Sequence, residues 1–467
     1  MRPLTAVGVS LALCGCATVG ANYAVPDHAA VNLPQAKGEF LGSANPAVST
    51  DAPPSKWWRL YEDPVLDGLI EQALAANTDL RVAAANLEAA RATTAEVESA
   101  RDPHVGVGAA VARDKESGEE HLVDQSLPAE TVGGAGLTVS YEIDVFGKLR
   151  RAIEASKANT EATEAALHLA RVTLVASVTR AYVQACAAGR QRAVAEHAIE
   201  LQAQSLEVTD SLFRTGRGVR TDVERARSQL NQLRAAPPSF AAQQQAALYT
   251  LALLLGRPPA DYPRAVEGCQ DIPLVRRPLP VGDGAALLAR RPDIREAERH
   301  LAAATANVAV ATAELYPTIT LGASGGSSGL LADFGKPATQ YFNFGPMLSW
   351  SIPDSGARAR VRASQATSQA ALARFDGVVL RALRETETNL SAYTHELERN
   401  DALRTARDSA ASAAAETTAF YRAGRAPYLA DLDAKRTLAS ADASLAASDA
   451  QRAVDQVDVF LALGGGW

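Results

Sequence analysis

Apolar positions along this chain follow two rhythms, and the change from one to the other marks its elements. Between residues 147 and 216 they step by three and four: Leu167, Ala170, Leu174, Val178, Ala181 and Ala185. Between 356 and 424 the step returns in Leu372, Phe375, Val379, Leu383 and Leu390, with Thr386 filling the gap. Neither stretch contains a proline. Such a stripe predicts a coiled-coil-like helix in each. Roughly 65–70 residues at 1.5 Å each make a rod of about 100 Å, which must lie against other rods. Gly216 and Gly424 predict turns, followed by shorter helices over 219–255 and 428–463. Ala-rich segments 79–100 and 293–315 predict two more, with Pro292 suited to a first helical position.

A period of two replaces this rhythm in four short segments. Val105, Val107, Ala109 and Val111 alternate with Gly106, Gly108 and Ala110. Leu137, Val139, Tyr141 and Ile143 alternate with Thr138, Ser140 and Glu142. Ile319, Leu321 and Ala323 stand against Thr318, Thr320, Gly322 and Ser324. Phe342, Phe344, Leu348, Trp350 and Ile352 stand against Asn343, Gly345, Ser349 and Ser351. Alternation over about 9–11 residues is what a tilted strand crossing an outer membrane requires. Trp350, Tyr341 and Tyr316, near strand ends, suit an aromatic girdle. Two soluble hairpins with one buried face are the competing reading. The long polar loops at 113–130 and 324–340 favour the membrane. Four strands fall short of the roughly eight that close a barrel. An open edge in lipid leaves backbone groups unpaired, so several chains would have to pool their strands.

The pattern is written twice. Asp79-Leu80-Arg81 recurs as Asp293-Ile294-Arg295, and Pro103 as Pro317. Phe213-Arg214-Thr215-Gly216 recurs as Tyr421-Arg422-Ala423-Gly424, and Leu253-Leu254-Leu255-Gly256 as Leu461-Ala462-Leu463-Gly464. Each copy reads helix, strand, strand, long helix, turn, helix. The Pro-rich segment 256–280 reads as a linker, and the Pro-rich stretch 23–55 as extended chain.

Composition narrows the possible chemistry. Hydrophobic residues make up 47% but aromatics only 5%, with two Met, so the helices must pack through small side chains. A net charge of −7 speaks against a nucleic-acid binder. No 18 apolar residues run together, so no transmembrane helix is expected. His28, His104, His121, His168, His197, His300 and His395 are scattered, and no CxxC or Cys/His cluster suggests zinc. The glycine-rich run 322–329 follows a strand without opening a helix, which argues against phosphate binding. Glu142 with Asp144, or Glu385 with Glu387, could be drawn as paired carboxylates. Lumen-facing or solvated charge is the favoured reading of both. No catalytic residue, metal or cofactor is expected, and whether Cys186 and Cys269 pair is left open.

At the N-terminus, Arg2 precedes an apolar stretch from Leu4 to Leu13 and then Cys14-Gly15-Cys16. A short basic start, an apolar core and small residues at a cleavage site make a secretory signal over residues 1–15. The arrangement resembles a lipobox, with Cys16 as the acylated first mature residue.

Together these motifs resemble the outer-membrane factor (TolC-type) family, in its lipoprotein branch serving resistance-nodulation-division tripartite efflux systems. The resemblance rests on Val19 to Pro26, Trp57-Trp58 with Asp63-Pro64, and Asn77-Thr78-Asp79-Leu80-Arg81. It rests also on Tyr141 to Gly147, Arg290-Arg291-Pro292-Asp293-Ile294, and the ending Ala462-Leu463-Gly464-Gly465-Gly466-Trp467. It implies a mainly α fold with a β membrane part: duplicated helical hairpins forming a trimeric α-barrel, and four strands per chain in a twelve-stranded outer-membrane β-barrel. Residues 16–78 become a lipidated extended segment and equatorial region. Residues 79–256 form repeat 1, with hairpin 103–145 and tip 214–222, and 257–290 a linker. Residues 291–464 form repeat 2, with hairpin 317–353 and tip 422–433, and 465–467 a tail. Thr215, Gly216, Arg217, Ala423, Gly424 and Arg425 would meet a periplasmic adaptor (membrane fusion) protein, itself coupled to an inner-membrane transporter. Leu429 and Asp433 would form an apolar and an acidic ring at a periplasmic gate. The function so implied is a passive trimeric duct, lipid-anchored on the periplasmic side of the outer membrane. The outer component of a type I protein secretion system and a periplasmic coiled-coil scaffold are the alternatives.

Overall fold

A computed structural model describes residues 18–352 and 355–465. Cys16 and the 1–15 signal segment lie outside the described residues, as do Gly466 and Trp467 of the ending.

Along the chain, α1 (Pro34–Lys37), β1 (Val48–Ser49), α2 (Pro64–Ala76) and α3 (Thr78–Ser99) precede the first hairpin, β2 (His104–Asp114) and β3 (Glu130–Ile143). Helix α4 (Lys148–Arg214), 67 residues long, is followed by α5 (Arg220–Arg234) and α6 (Ala236–Leu254). Then β4 (Leu279–Pro280) and α7 (Gly284–Arg290) lead into α8 (Pro292–Ala313), β5 (Thr318–Leu330) and β6 (Gln340–Ser349). Helix α9 (Ser355–Arg422), 68 residues, and α10 (Tyr428–Ala462) complete it. The proline-free stretches are therefore the two long helices, and the duplicated element order is present.

Five expectations need correction. Copy 1 has two helices after its tip, because Pro237 and Pro238 stop α5 before Ala235. A proline ring clashes with the carbonyl four residues back and supplies no N–H. Copy 2 has no proline after Pro427, and its helix runs unbroken for 35 residues. The linker segment carries β4, which pairs in parallel with β1 (Val48↔Leu279), and also α7. The 23–55 stretch contains α1 and short 3-10 turns at Ala30–Asn32 and Leu41–Ala44, so it is not simply extended. Finally, 324–340 is not all loop. Strand β5 continues to Leu330 because Gly326 to Gly329 pair with the equally small Gly136 to Gly133 of β3. Strand β6 ends at Ser349, leaving Trp350 and Ile352 beyond it.

The chain packs as two compact units, each fed from both repeats. One comprises the residues up to Pro26, Leu87–Thr163 and Ala297–Phe375. Here the helix segments meet through small residues. Ala158, Ala302 and Ala303 form a buried cluster under Tyr23. Thr94 hydrogen-bonds Ser156 and Thr160, each at 2.8 Å. Buried Arg151 holds the N-terminal segment by donating to the Gly20 carbonyl and Asn22 Oδ1, both at 3.0 Å.

The four-stranded antiparallel sheet belongs to this unit, in the order β2-β3-β5-β6. Its register gathers the alternating apolar positions on one face: Val107 opposite Leu137, Leu137 opposite Gly325, and Gly325 opposite Phe342. That face is open, with Phe342 91% and Val107 82% exposed. The other face is small and polar, carrying Gly106, Thr138, Ser324 and Asn343. Tyr341 stands on this polar face, its hydroxyl over Gly136. It is therefore not a girdle residue, whereas Tyr316 stacks on Phe146 at 4.7 Å. Strands β2 and β6 are free edges within the chain.

The second unit comprises Asp27–Asn86, Glu164–Glu296 and the residues from Asp376 onward. Its largest fully buried side chain is Trp57, stacked on Phe460 at 4.7 Å and donating to the Gly465 carbonyl at 3.3 Å. Buried Arg291 is neutralised by Asp293 at 2.7 Å and Glu385 at 3.0 Å, and donates to the Ala462 carbonyl. The linker crosses α4 at Gly189, where any β-carbon would lie 2.1 Å from the Cys269 carbonyl oxygen. Beside this crossing Cys186 and Cys269 are joined by a disulfide, which settles the pairing that spacing left open. The bond closes a span of 83 residues. In the chain-entropy model a loop of that size contributes about 4.5 kcal/mol. Cys186→Ala with Cys269→Ala is expected to lower the unfolding midpoint accordingly, and reductant to do the same to the wild type only.

Candidate functional site

The two tips share one construction. In the first, Gly216 N–H donates to the Phe213 carbonyl at 3.0 Å and Arg217 N–H to the Leu212 carbonyl at 2.9 Å. In the second, Gly424 N–H donates to Tyr421 at 2.9 Å and Arg425 N–H to Phe420 at 2.8 Å. This pair of bonds closes a helix with a left-handed residue, at φ +73° for Gly216 and +68° for Gly424. Glycine is required by the dihedral and not by crowding, since nothing lies within 4 Å of either Cβ position. Thr215 bonds back to the Ser211 carbonyl at 3.0 Å. Arg217, Ala423 and Arg425 are exposed, and Arg214 pairs with Asp210 at 2.6 Å.

Beyond the second tip, α10 sorts its residues by face. Leu429 and Asp433, four apart on the helix, are both exposed and share one side. Asp433 makes no ion pair among the described residues. Asp431 and Leu432 turn the other way and are buried. The sequence reading missed Asp431. Thr418 of α9 donates to its carboxylate, as does Lys435 at 2.8 Å, so it joins the two helices behind the tip. Its i,i+4 spacing to Lys435 was the available signal. Burial opposes the charge of Asp431, but the bonds from Lys435 and Thr418 outweigh it and hold the carboxyl below its ordinary value. The tie is therefore complete at neutral pH and is lost only as pH falls through that depressed value. Asp431→Asn is expected to weaken the hairpin at pH 7 and to match wild type in strong acid, as read by thermal unfolding across pH.

A second link lies deeper in the hairpins. Arg436 donates to Gln202 Oε1 at 3.0 Å, and buried Gln202 donates to the Ala226 carbonyl at 3.1 Å. This ties α10 to α4 and α5.

Three of the four carboxylates considered for acid–base work have structural partners, and Glu142 stands on the polar face of β3 opposite Thr320. Asp144 accepts from the Leu149 and Arg150 N–H groups at 3.0 Å, capping the start of α4. Glu385 pairs with Arg291, and Glu387 accepts from the Leu41 N–H at 2.8 Å. Among the described residues no three His, Cys, Asp or Glu side chains could share a metal ion, and no helix is long and apolar enough to cross a membrane.

Comparison with known proteins agrees with this architecture. The chain is 30% identical to nodulation protein T of Rhizobium leguminosarum bv. trifolii over 98% of its own length and 96% of the relative's. It is 30% identical to the toluene efflux pump outer membrane protein TtgF of Pseudomonas putida, covering 99% and 96%. Among solved structures, the outer-membrane channel OprN superposes with a TM-score of 0.88 at 35% identity, covering 96% of this chain and 99% of that one. The family model described as outer membrane efflux protein matches residues 69–257 and 285–465, so the chain belongs to the outer membrane efflux protein family.

Proposed function

We propose that this outer-membrane efflux channel works as a passive trimeric duct, held by a lipid on Cys16 and driven by an inner-membrane transporter. The observation that carries the reading is the four-stranded sheet, with one apolar face, one small polar face and two free edges. In lipid those edges must find partners, and three chains would supply twelve strands, an even number within the range of closed barrels. The glycine- and serine-rich face would then line a wide lumen. Thr215, Gly216, Arg217, Ala423, Gly424 and Arg425 form exposed, rigidly closed tips suited to an adaptor protein. Leu429 and Asp433, turned away from their own hairpin, would meet their copies around the axis as an apolar ring and an acidic ring. Close carboxylates favour cations and repel one another, so the acidic ring would act as both selectivity element and conditional gate. Transport through such a duct asks no catalysis, metal or cofactor of this chain.

The test is direct. Purified in detergent, the protein should run as a trimer and conduct ions across a planar bilayer. A monomer with residues 137–143 and 342–348 wetted on both faces, and no conductance, would overturn the reading.

A further inference from the structure

In a chain where 53 acidic residues outnumber 46 Lys and Arg, one concave site runs the other way. A cavity of about 590 Å³ is lined by Arg276 and Arg277 of the segment before β4, Arg404 of α9 and Arg452 of α10, with no carboxylate in its lining. The size falls within the usual range for small-molecule sites.

The site is built rather than accidental. Buried Gln456 of α10 clamps the linker backbone. Its Oε1 accepts from the Val275 N–H, and its Nε2 donates to the Val275 carbonyl, both at 2.9 Å. The same amide donates to the Tyr393 hydroxyl of α9 at 3.2 Å. The clamp fixes the residue immediately before the two arginines against the helix pair.

The guanidiniums are poorly compensated. Arg404 and Arg452 share one neutral acceptor, Asn400 Oδ1, at 3.1 and 3.3 Å. Arg452 reaches Asp449 only at 3.8 Å, and its buried Nε has no acceptor among the described residues. Arg276 and Arg277 are exposed and make no ion pair there. On their other side lies a second cavity with Glu62, Asp63 and Asp271 in its lining. Asp63 is already engaged by the Tyr182 hydroxyl at 2.8 Å and by the start of α2.

We infer that this cavity binds a polyvalent oxyanion, a ligand carrying phosphoryl or several carboxylate groups. Planar guanidinium forks match both, and a monoanion leaves most of the cluster's charge unanswered. The ligand would bridge the linker to α9 and α10, the second of which carries Leu429 and Asp433. A ligand preferring the bridged arrangement stabilises it over any in which that hairpin moves away, and so disfavours opening. This second step rests on the duct reading above.

Calorimetric titration of the purified full chain with sodium pyrophosphate, in phosphate-free detergent buffer, tests the site. One saturable event per chain is expected, weakened by about tenfold or more in Arg276→Ala with Arg277→Ala. Both side chains are exposed, so the variant should keep the wild-type melting midpoint. Citrate binding as tightly as pyrophosphate would support recognition of polycarboxylates as well, whereas a preference for pyrophosphate would assign phosphoryl groups. Absence of saturable heat, equal binding of acetate, or unchanged affinity in the double variant would overturn the site. In planar bilayers pyrophosphate should reduce openings of the wild type but not of the variant. Binding without that effect would overturn the coupling. A protein that never conducts would overturn the duct and leave the calorimetric result standing.

Discussion

Replacing Leu429 and Asp433 together by alanine is expected to raise single-channel conductance several-fold and to reduce preference for cations. The expectation follows from the sorting of faces on α10. Leu429 is 61% exposed and Asp433 also faces away from its own hairpin, so trimming both removes bulk and charge from the proposed constriction while leaving the Asp431 tie intact. The single variants separate the two contributions. Leu429→Ala should raise conductance with selectivity kept, because an apolar ring restricts without discriminating by sign. Asp433→Ala should mainly lower cation selectivity, because in the proposed acidic ring three carboxylates would set the local field. Planar-bilayer recordings in asymmetric potassium chloride give both quantities from one experiment. Unchanged conductance and reversal potential in the double variant would place the constriction elsewhere.

Phe344→Arg is expected to abolish assembly in the outer membrane, whereas Asn343→Arg, one residue away, is expected to be tolerated. The register decides this. Phe344 lies opposite Ala323 on the apolar face, and Asn343 opposite Ser324 on the polar one. An arginine facing lipid near mid-membrane costs about 2–4 kcal/mol, and a trimer would carry three of them. An arginine facing a watery lumen meets little penalty. Heat-modifiable migration of trimers from outer-membrane fractions reports the outcome. Equal tolerance at both positions would mean that the sheet does not divide oil from water.

Periodicity carried much of this protein unaided. The three-and-four step from Leu167 to Ala185 and the absence of proline fix α4. Strict alternation from Leu137 to Ile143 fixes the core of β3, and the internal repeat fixes the element order. The break at Ala235 was also readable, from Pro237-Pro238, although the helical rhythm around it masked the signal.

Other features exist only once distant segments meet. Glycine runs read as loop, yet Gly326 to Gly329 form a strand because β3 offers equally small partners in register. Tyr341 reads as an interfacial aromatic, yet the pairing turns it to the polar face. Asp431 and Asp433 are both acidic and two residues apart, and packing against α9 makes one a buried tie to Thr418 and Lys435 and leaves the other exposed. The Cys186–Cys269 bridge and the arginine cavity likewise join positions far apart in the chain. Hydrophobic period is a property of neighbours along one backbone, so the sequence alone determines it. Which face a side chain ends on, and which charge goes unanswered, depend on contacts between segments, and only the tertiary structure decides them.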